Sequence, residues 1–128
     1  MFEGIAKNYQ IVRTVEGVNK LLEHIDSYEL IAFDTEGTGV NVRKDRVIGF
    51  SVSGNVGDSF YFPFLQYNFS TGLLEELTIA NKGCVNIAKK IIEKLSHKKL
   101  VMHNGSYDCR IVKNNFGIDL LPSLYADT

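Results

Sequence analysis

The sequence has no excess of either charge: 14 Lys and Arg stand against 15 Asp and Glu, a formal net charge of −1. That excludes a broad basic surface of the kind that coats duplex DNA, but not a small site gripping a few nucleotides through bound metal. No apolar run approaches the length of a membrane span, and Met1 to Tyr9 lacks the apolar stretch of a signal peptide. Only two cysteines occur, Cys84 and Cys109. They have no metal-ligand spacing and fall in expected helices, so they are read as reduced, buried thiols of a cytosolic protein. There is no internal repeat and no low-complexity segment. What the chain does have is apolar content, 45% of 128 residues, enough for a packed core in one domain or part of one.

The stretch on which function turns is Leu30 to Gly39, LIAFDTEGTG. Leu30, Ile31, Ala32 and Phe33 form an apolar run that predicts a strand buried on both faces. Asp34 and Glu36 follow two apart, and residues i and i+2 of a strand leave the same face about 7 Å apart. Two carboxylates that close repel each other at neutral pH unless a cation lies between them. An oxygen-only ligand set favours a hard divalent ion, Mg²⁺ or Mn²⁺. Gly37 and Gly39 end the strand and leave room for a ligand to approach the backbone. The competing reading is an ordinary strand terminus, since acidic residues beside glycine are routine where loops begin.

Around this stretch, Tyr9 to Arg13 predicts an edge strand. Thr14 is suited to N-cap a helix with Val18, Leu21, Leu22 and Ile25 on one face. Arg46 to Ser53 and Ser59 to Pro63 predict a hairpin about the Gly54–Asp58 turn, so the acidic strand opens a three-stranded antiparallel meander. In the segment from Phe64 to Lys82, Gly72 to Ile79 is read as a short helix. The aromatics Phe64, Tyr67 and Phe69 there either stack unpaired bases or tuck the loop onto the domain.

A helix over Gly83 to Ser96 buries Val85, Ala88, Ile91, Ile92 and Leu95. Its other face, running into the next loop, holds Lys89, Lys90, Lys94, His97, Lys98 and Lys99, a solvated lysine-rich surface. Leu100 to His103 is a buried strand, and Gly105 to Phe116 a helix closed by Gly117. Ile118 to Leu121 and then Leu124 to Ala126 read as a return to the sheet. The Leu30, Leu100 and Leu124 strands are expected to be parallel neighbours in a mixed α/β sheet flanked by helices.

A third carboxylate comes from His103 to Asp108, HNGSYD. Asp108 falls in the first turn of the Gly105 helix, where the carboxyl end of the Leu100 strand is able to set it beside Asp34 and Glu36. Asn104 and Tyr107 share its helical face. Each also has a structural explanation: Asn104 suits an N-cap, an acid suits a first turn, and Tyr107 suits a core. His103, without a partner at ligand spacing, is read as plugging the strand end.

D-T-E after an apolar strand, followed by HN-x-x-YD about seventy residues later, resembles the first two motifs of the DEDD 3′–5′ exonucleases. Tyr9 to Ile25, the hairpin from Val47 to Phe64 with its Y-F-P-F, and the terminal LYADT resemble the proofreading domain of family A DNA polymerases. Ribonuclease D shares the opening strand and helix.

The resemblance implies a ribonuclease-H-like fold in which Asp34, Glu36 and Asp108 hold two Mg²⁺ or Mn²⁺ ions. Asn104, Tyr107, Gly37 and Thr38 would contact the 3′-terminal nucleotides. The implied activity is proofreading hydrolysis of single-stranded DNA, with a polymerase domain in the same or a partner chain, in a bacterial or phage-infected cytoplasm. RNA trimming of the ribonuclease D type, or a non-catalytic binding module on the same fold, are the alternatives. The family carries one more motif, Tyr-x-x-x-Asp or His-x-x-x-x-Asp on a later helix, and none follows Asp108 in these residues. Residues 1–128 are therefore expected to be the N-terminal part of the domain, C-terminally incomplete, poorly active by themselves and prone to self-associate.

Overall fold

The computed structural model of the protein describes residues 8–38, 46–55 and 57–128. Gly39 and Val56, which belong to the two turns anticipated above, lie outside the described residues. The chain opens with strand β1 (Asn8–Ile11) and helix α1 (Val15–Ser27). The meander follows: β2 (Leu30–Gly37), β3 (Val47–Asn55) and β4 (Asp58–Pro63). Two small hairpins come next, β5 (Leu65–Asn68) with β6 (Leu73–Glu76), and β7 (Thr78–Ile79) with β8 (Lys82–Gly83). Then come α2 (Cys84–Leu95), β9 (Lys99–Met102), α3 (Gly105–Phe116) and, after a 3-10 turn, β10 (Leu124–Asp127).

Local chemistry explains most of these boundaries. Thr14 caps α1, its hydroxyl accepting a hydrogen bond from the Gly17 amide at 3.0 Å, and Gly117 ends α3 in the left-handed region at φ 73°. In the turn between β3 and β4 the Asn55 side chain accepts from the amides of Gly57 (2.8 Å) and Asp58 (2.9 Å).

The main sheet has six strands in the order β1-β4-β3-β2-β9-β10. The β2–β3 and β3–β4 pairs are antiparallel, whereas β1–β4, β2–β9 and β9–β10 are parallel. The sheet is thus mixed, with the meander, the edge position of β1 and the parallel β2, β9 and β10 all as expected. One core cluster unites Ile31, Phe33, Phe50, Val52 and Phe62 with Leu21 and Ile25 of α1, Ile91, Ile92 and Leu95 of α2, and Ile111, Val112 and Phe116 of α3. Phe33, Phe50, Phe62, Phe64 and Phe116 form a chain of rings with successive centroids 5.6–6.2 Å apart. Cys84 and Cys109 are buried and unbridged.

Three expectations fail. Leu30 to Phe33 is not buried on both faces: Ile31 and Phe33 are inside, but Leu30 is 44% exposed and Ala32 is exposed too. The helices collect on the Phe33 side, leaving the alternate residues bare. Gly72 to Ile79 is not a helix. Leu73–Glu76 pairs with Leu65–Asn68, because Asn68 builds a tight turn by accepting from the amides of Ser70 (2.9 Å) and Thr71 (3.2 Å), with Gly72 at φ 72°. Ile118 to Leu121 does not rejoin the sheet. Leu121–Ser123 is a 3-10 turn containing Pro122, which has no N–H for a ladder, and only Leu124–Asp127 pairs.

Candidate active site

Alternation along β2 puts Asp34 and Glu36 on the bare face of the sheet, both exposed, with Thr35 on the helix-covered face between them. Asp108 arrives from α3 on that covered side. Its Oδ1 accepts a hydrogen bond from the Thr35 hydroxyl at 2.6 Å, while its Oδ2 is buried without a partner among the described residues. The side chain is only 3% exposed. Burial pushes the Asp108 carboxyl up to about 6; the Thr35 hydrogen bond opposes the rise, and the negative charges of Asp34 and Asp127 add to it. Asp34 is also lifted above the usual carboxylate range, by partial burial, with His103 pulling it down and Glu36 pushing it up.

Asp34 is therefore electrostatically linked to both other carboxylates. Among the described residues, however, no group of three or more His, Cys, Asp or Glu side chains converges closely enough to hold a metal ion. Asp34 and Glu36 stand on one face of the strand, and Asp108 meets the strand at the residue between them.

The other expected site residues gather around the same strand end. Gly37 leaves little room for a side chain: a Cβ there would lie a tight 3.2 Å from the Arg46 carbonyl and 3.7 Å from the Tyr107 hydroxyl. Tyr107, half-buried, thus sits over Gly37. Thr38 closes the strand pair, its amide donating to the Arg46 carbonyl and its hydroxyl accepting from the Arg46 amide, both at 3.0 Å. Asn104 occupies the N-cap of α3, but in the left-handed region (φ 59°) and with no side-chain capping bond, so its amide stays exposed. His103 is exposed rather than plugging the strand end. With Asp34, Ala32, Ser51, Ser53 and Val101 it borders a shallow cavity of 340 Å³ on the bare face.

Three supporting residues carried no readable sequence signal. Thr35 looks like a spacer in D-T-E. Asp127 accepts from the Gly105 amide at 2.9 Å and so ties the end of β10 to the start of α3. Tyr61 donates its hydroxyl to Glu36 Oε1 at 2.9 Å from two strands away. In the sequence Tyr61 belonged only to the Y-F-P-F run of a hairpin.

A family model described as 3′-5′ exonuclease matches residues 9–126. The chain belongs to this 3′–5′ exonuclease family. Curated relatives of the exonuclease include DNA polymerase DpoZ of Vibrio phage phiVC8, 32% identical over 104 residues, and DNA polymerase I of Pseudomonas aeruginosa, 28% identical over 107. These matches cover 81% and 84% of this chain but only 14% and 11% of the polymerases, so the chain spans about an eighth of their length. Among solved structures, Brucella melitensis NrnC with bound Mg²⁺ superposes at a TM-score of 0.58 with 15% identity, covering 95% of this chain and 50% of that one. At that identity the likeness concerns the fold. The exonuclease is thus of the DNA polymerase I type on a ribonuclease-H-like sheet. Among the described residues no helix is long and apolar enough to cross a membrane.

Proposed function

We propose that the chain supplies the proofreading site of a DNA polymerase, hydrolysing the terminal phosphodiester at the 3′ end of single-stranded DNA. The observation that carries this reading is the Asp108 carboxylate. A buried carboxylate with one oxygen on Thr35 and the other unpartnered is costly in a metal-free protein, and its charge adds to that of Asp34. An all-oxygen donor set of this kind fits a hard divalent cation, so Asp34, Glu36 and Asp108 are assigned to hold Mg²⁺ or Mn²⁺, two ions being expected. When bound, such ions would supply Lewis-acid activation of water and charge neutralisation at the departing 3′ oxygen.

The chain's own residues fix where that chemistry occurs. Thr35 orients Asp108 through its short hydrogen bond. Asn104, with its uncommitted exposed amide, and Tyr107, whose hydroxyl lies beside Gly37, are assigned to the terminal nucleotides, whose backbone approaches along Gly37 and Thr38. The polymerase domain would lie in the same or a partner chain, and the setting would be the cytoplasm of a bacterium or phage-infected cell. Because no Tyr-x-x-x-Asp or His-x-x-x-x-Asp follows Asp108 in these residues, cleavage by them alone is expected to be slow.

The test is release of mononucleotides from a 3′-labelled single-stranded oligonucleotide in millimolar Mn²⁺, alongside titration of Mn²⁺ binding. The expected result is weak Mn²⁺ binding and slow cleavage, both removed by Asp34→Ala, with DNA cleaved in preference to RNA of the same sequence. Mn²⁺ binding unaffected by Asp34→Ala would end the metal-site reading. Preference for RNA would transfer the site to RNA trimming, since the 2′-OH is the feature that distinguishes the two substrates.

A further inference from the structure

Glu36 is exposed at the end of β2 on the bare face. A free glutamate there would sample several rotamers, whereas a ligand has to present its oxygens in one place. The sheet supplies a restraint from two strands away. Glu36 pairs across the ladder with Gly49 of β3, and the next strand, β4, contributes Tyr61. Strands lie about 4.8 Å apart, so β4 and β2 are separated by about 10 Å, a span that only a long side chain lying flat can cross. The Tyr61 ring does this by passing directly over Gly49. A Cβ on Gly49 would stand 2.4 Å from the Tyr61 hydroxyl oxygen, 2.7 Å from Cζ and 3.0 Å from Cε1. The hydroxyl then donates to Glu36 Oε1 at 2.9 Å, a hydrogen bond strengthened by the acceptor's charge.

Glycine inside a strand weakens it, so Gly49 has a cost that needs an offsetting use. Tyr61 is only partly buried and its hydroxyl is committed to Glu36, so apolar burial alone does not account for that use. We propose that Tyr61 is a positioning residue for Glu36, held in a slot opened by Gly49, and that it fixes one carboxylate oxygen so that the other is presented to the cation. The inference rests on the reading of Glu36 as a metal ligand.

It is tested by Mn²⁺ titration and thermal denaturation of four variants: Tyr61→Phe, Gly49→Ala, Glu36→Gln and the Tyr61→Phe/Glu36→Gln double. Tyr61→Phe keeps the ring in its slot and removes only the donor. Gly49→Ala keeps the donor and evicts the ring. Both are expected to weaken Mn²⁺ binding about tenfold, as loss of an outer partner of a metal ligand does. The melting temperature of metal-free Tyr61→Phe should stay close to that of the wild type. In the Glu36→Gln background Tyr61→Phe should add no further loss.

If Glu36→Gln weakens binding while Tyr61→Phe does not, the positioning role is wrong and the metal site stands. A fall in melting temperature with unchanged Mn²⁺ affinity makes Tyr61 a packing residue and likewise overturns the proposal. Insensitivity of Mn²⁺ binding to Glu36→Gln removes the reading of Glu36 and the Tyr61 proposal together.

Discussion

The two faces of the central sheet are built from the same strands by alternate residues, yet they differ in almost every property. The helix-covered face carries Ile31, Phe33, Phe50, Val52 and Phe62, each no more than 2% exposed. The bare face carries Ala32, Asp34, Glu36, Ser51 and Ser53, small or charged and open to solvent to varying degrees. Strand alternation separates the residues that hold the fold from those assigned to the chemistry, so either set is free to change without disturbing the other. Two groups cross this division. Asp108 is a carboxylate delivered to the covered side, and Tyr61 is an aromatic residue used on the bare side.

The largest effect expected from testing the division is at Phe33. Its ring packs against Phe50 at 5.6 Å and is 2% exposed, so Phe33→Ala should cost about 3–5 kcal/mol in chemical denaturation. A loss below about 1 kcal/mol would show that β2 is not central to the core.

Asp108 should behave in the opposite sense. Its carboxyl is raised in the fold to about 6, so the folded state holds a proton that the unfolded state has already released. Its contribution is present below the ordinary aspartate range and is lost as pH rises through about 6. Asp108→Asn should therefore stabilise the metal-free protein at pH 8 by about 1–3 kcal/mol while weakening Mn²⁺ binding. Destabilisation at pH 8 would mean that the charge is compensated after all.

A smaller effect, again of the covered side, belongs to His24. Its Nε2 accepts a hydrogen bond from the Gly54 amide at 2.8 Å, and its ring lies 4.9 Å from that of Phe60. Burial lowers its pKa, with Asp58 opposing. The fold thus favours the neutral ring, and the stability this gives is present above the normal histidine range and lost as pH falls through the lowered value. His24→Gln should flatten the fall in melting temperature between pH 7 and pH 5. An unchanged slope would assign that fall to other groups. The smallest change is expected on the bare face: Ser51→Ala should alter stability by no more than about 0.5 kcal/mol, and a larger loss in denaturation would mean that this face carries structural weight.

The contrast between the β5–β6 hairpin and α2 shows why some of the fold was readable and some was not. In α2 the apolar residues Ala88, Ile91, Ile92 and Leu95 recur at helical spacing and all four are buried, so periodicity alone located the element. In Leu73–Glu76 only four residues pair, Leu73 is 65% exposed, and the pattern has no clear period. Of the three aromatics in that segment, Phe64 is core, while Tyr67 and Phe69 are 51% and 93% exposed. Nothing in their local sequence distinguishes them.

By itself the sequence determined that Asp34 and Glu36 share a face, that Asp108 opens a helix after a strand, and that this strand and the one carrying Asp34 and Glu36 are parallel neighbours. Those properties follow from the two-residue and 3.6-residue periods of the backbone and from chain order, all of which are local. Only the tertiary structure decided that all three helices cover the Phe33 side, that Asp108 docks on Thr35, that Asp127 ties the Gly105 amide, and that Tyr61 reaches Glu36 over Gly49. Each of these depends on which residues face each other across strands far apart in the chain. That register is set by the packing of the whole sheet and is written in no single stretch of it.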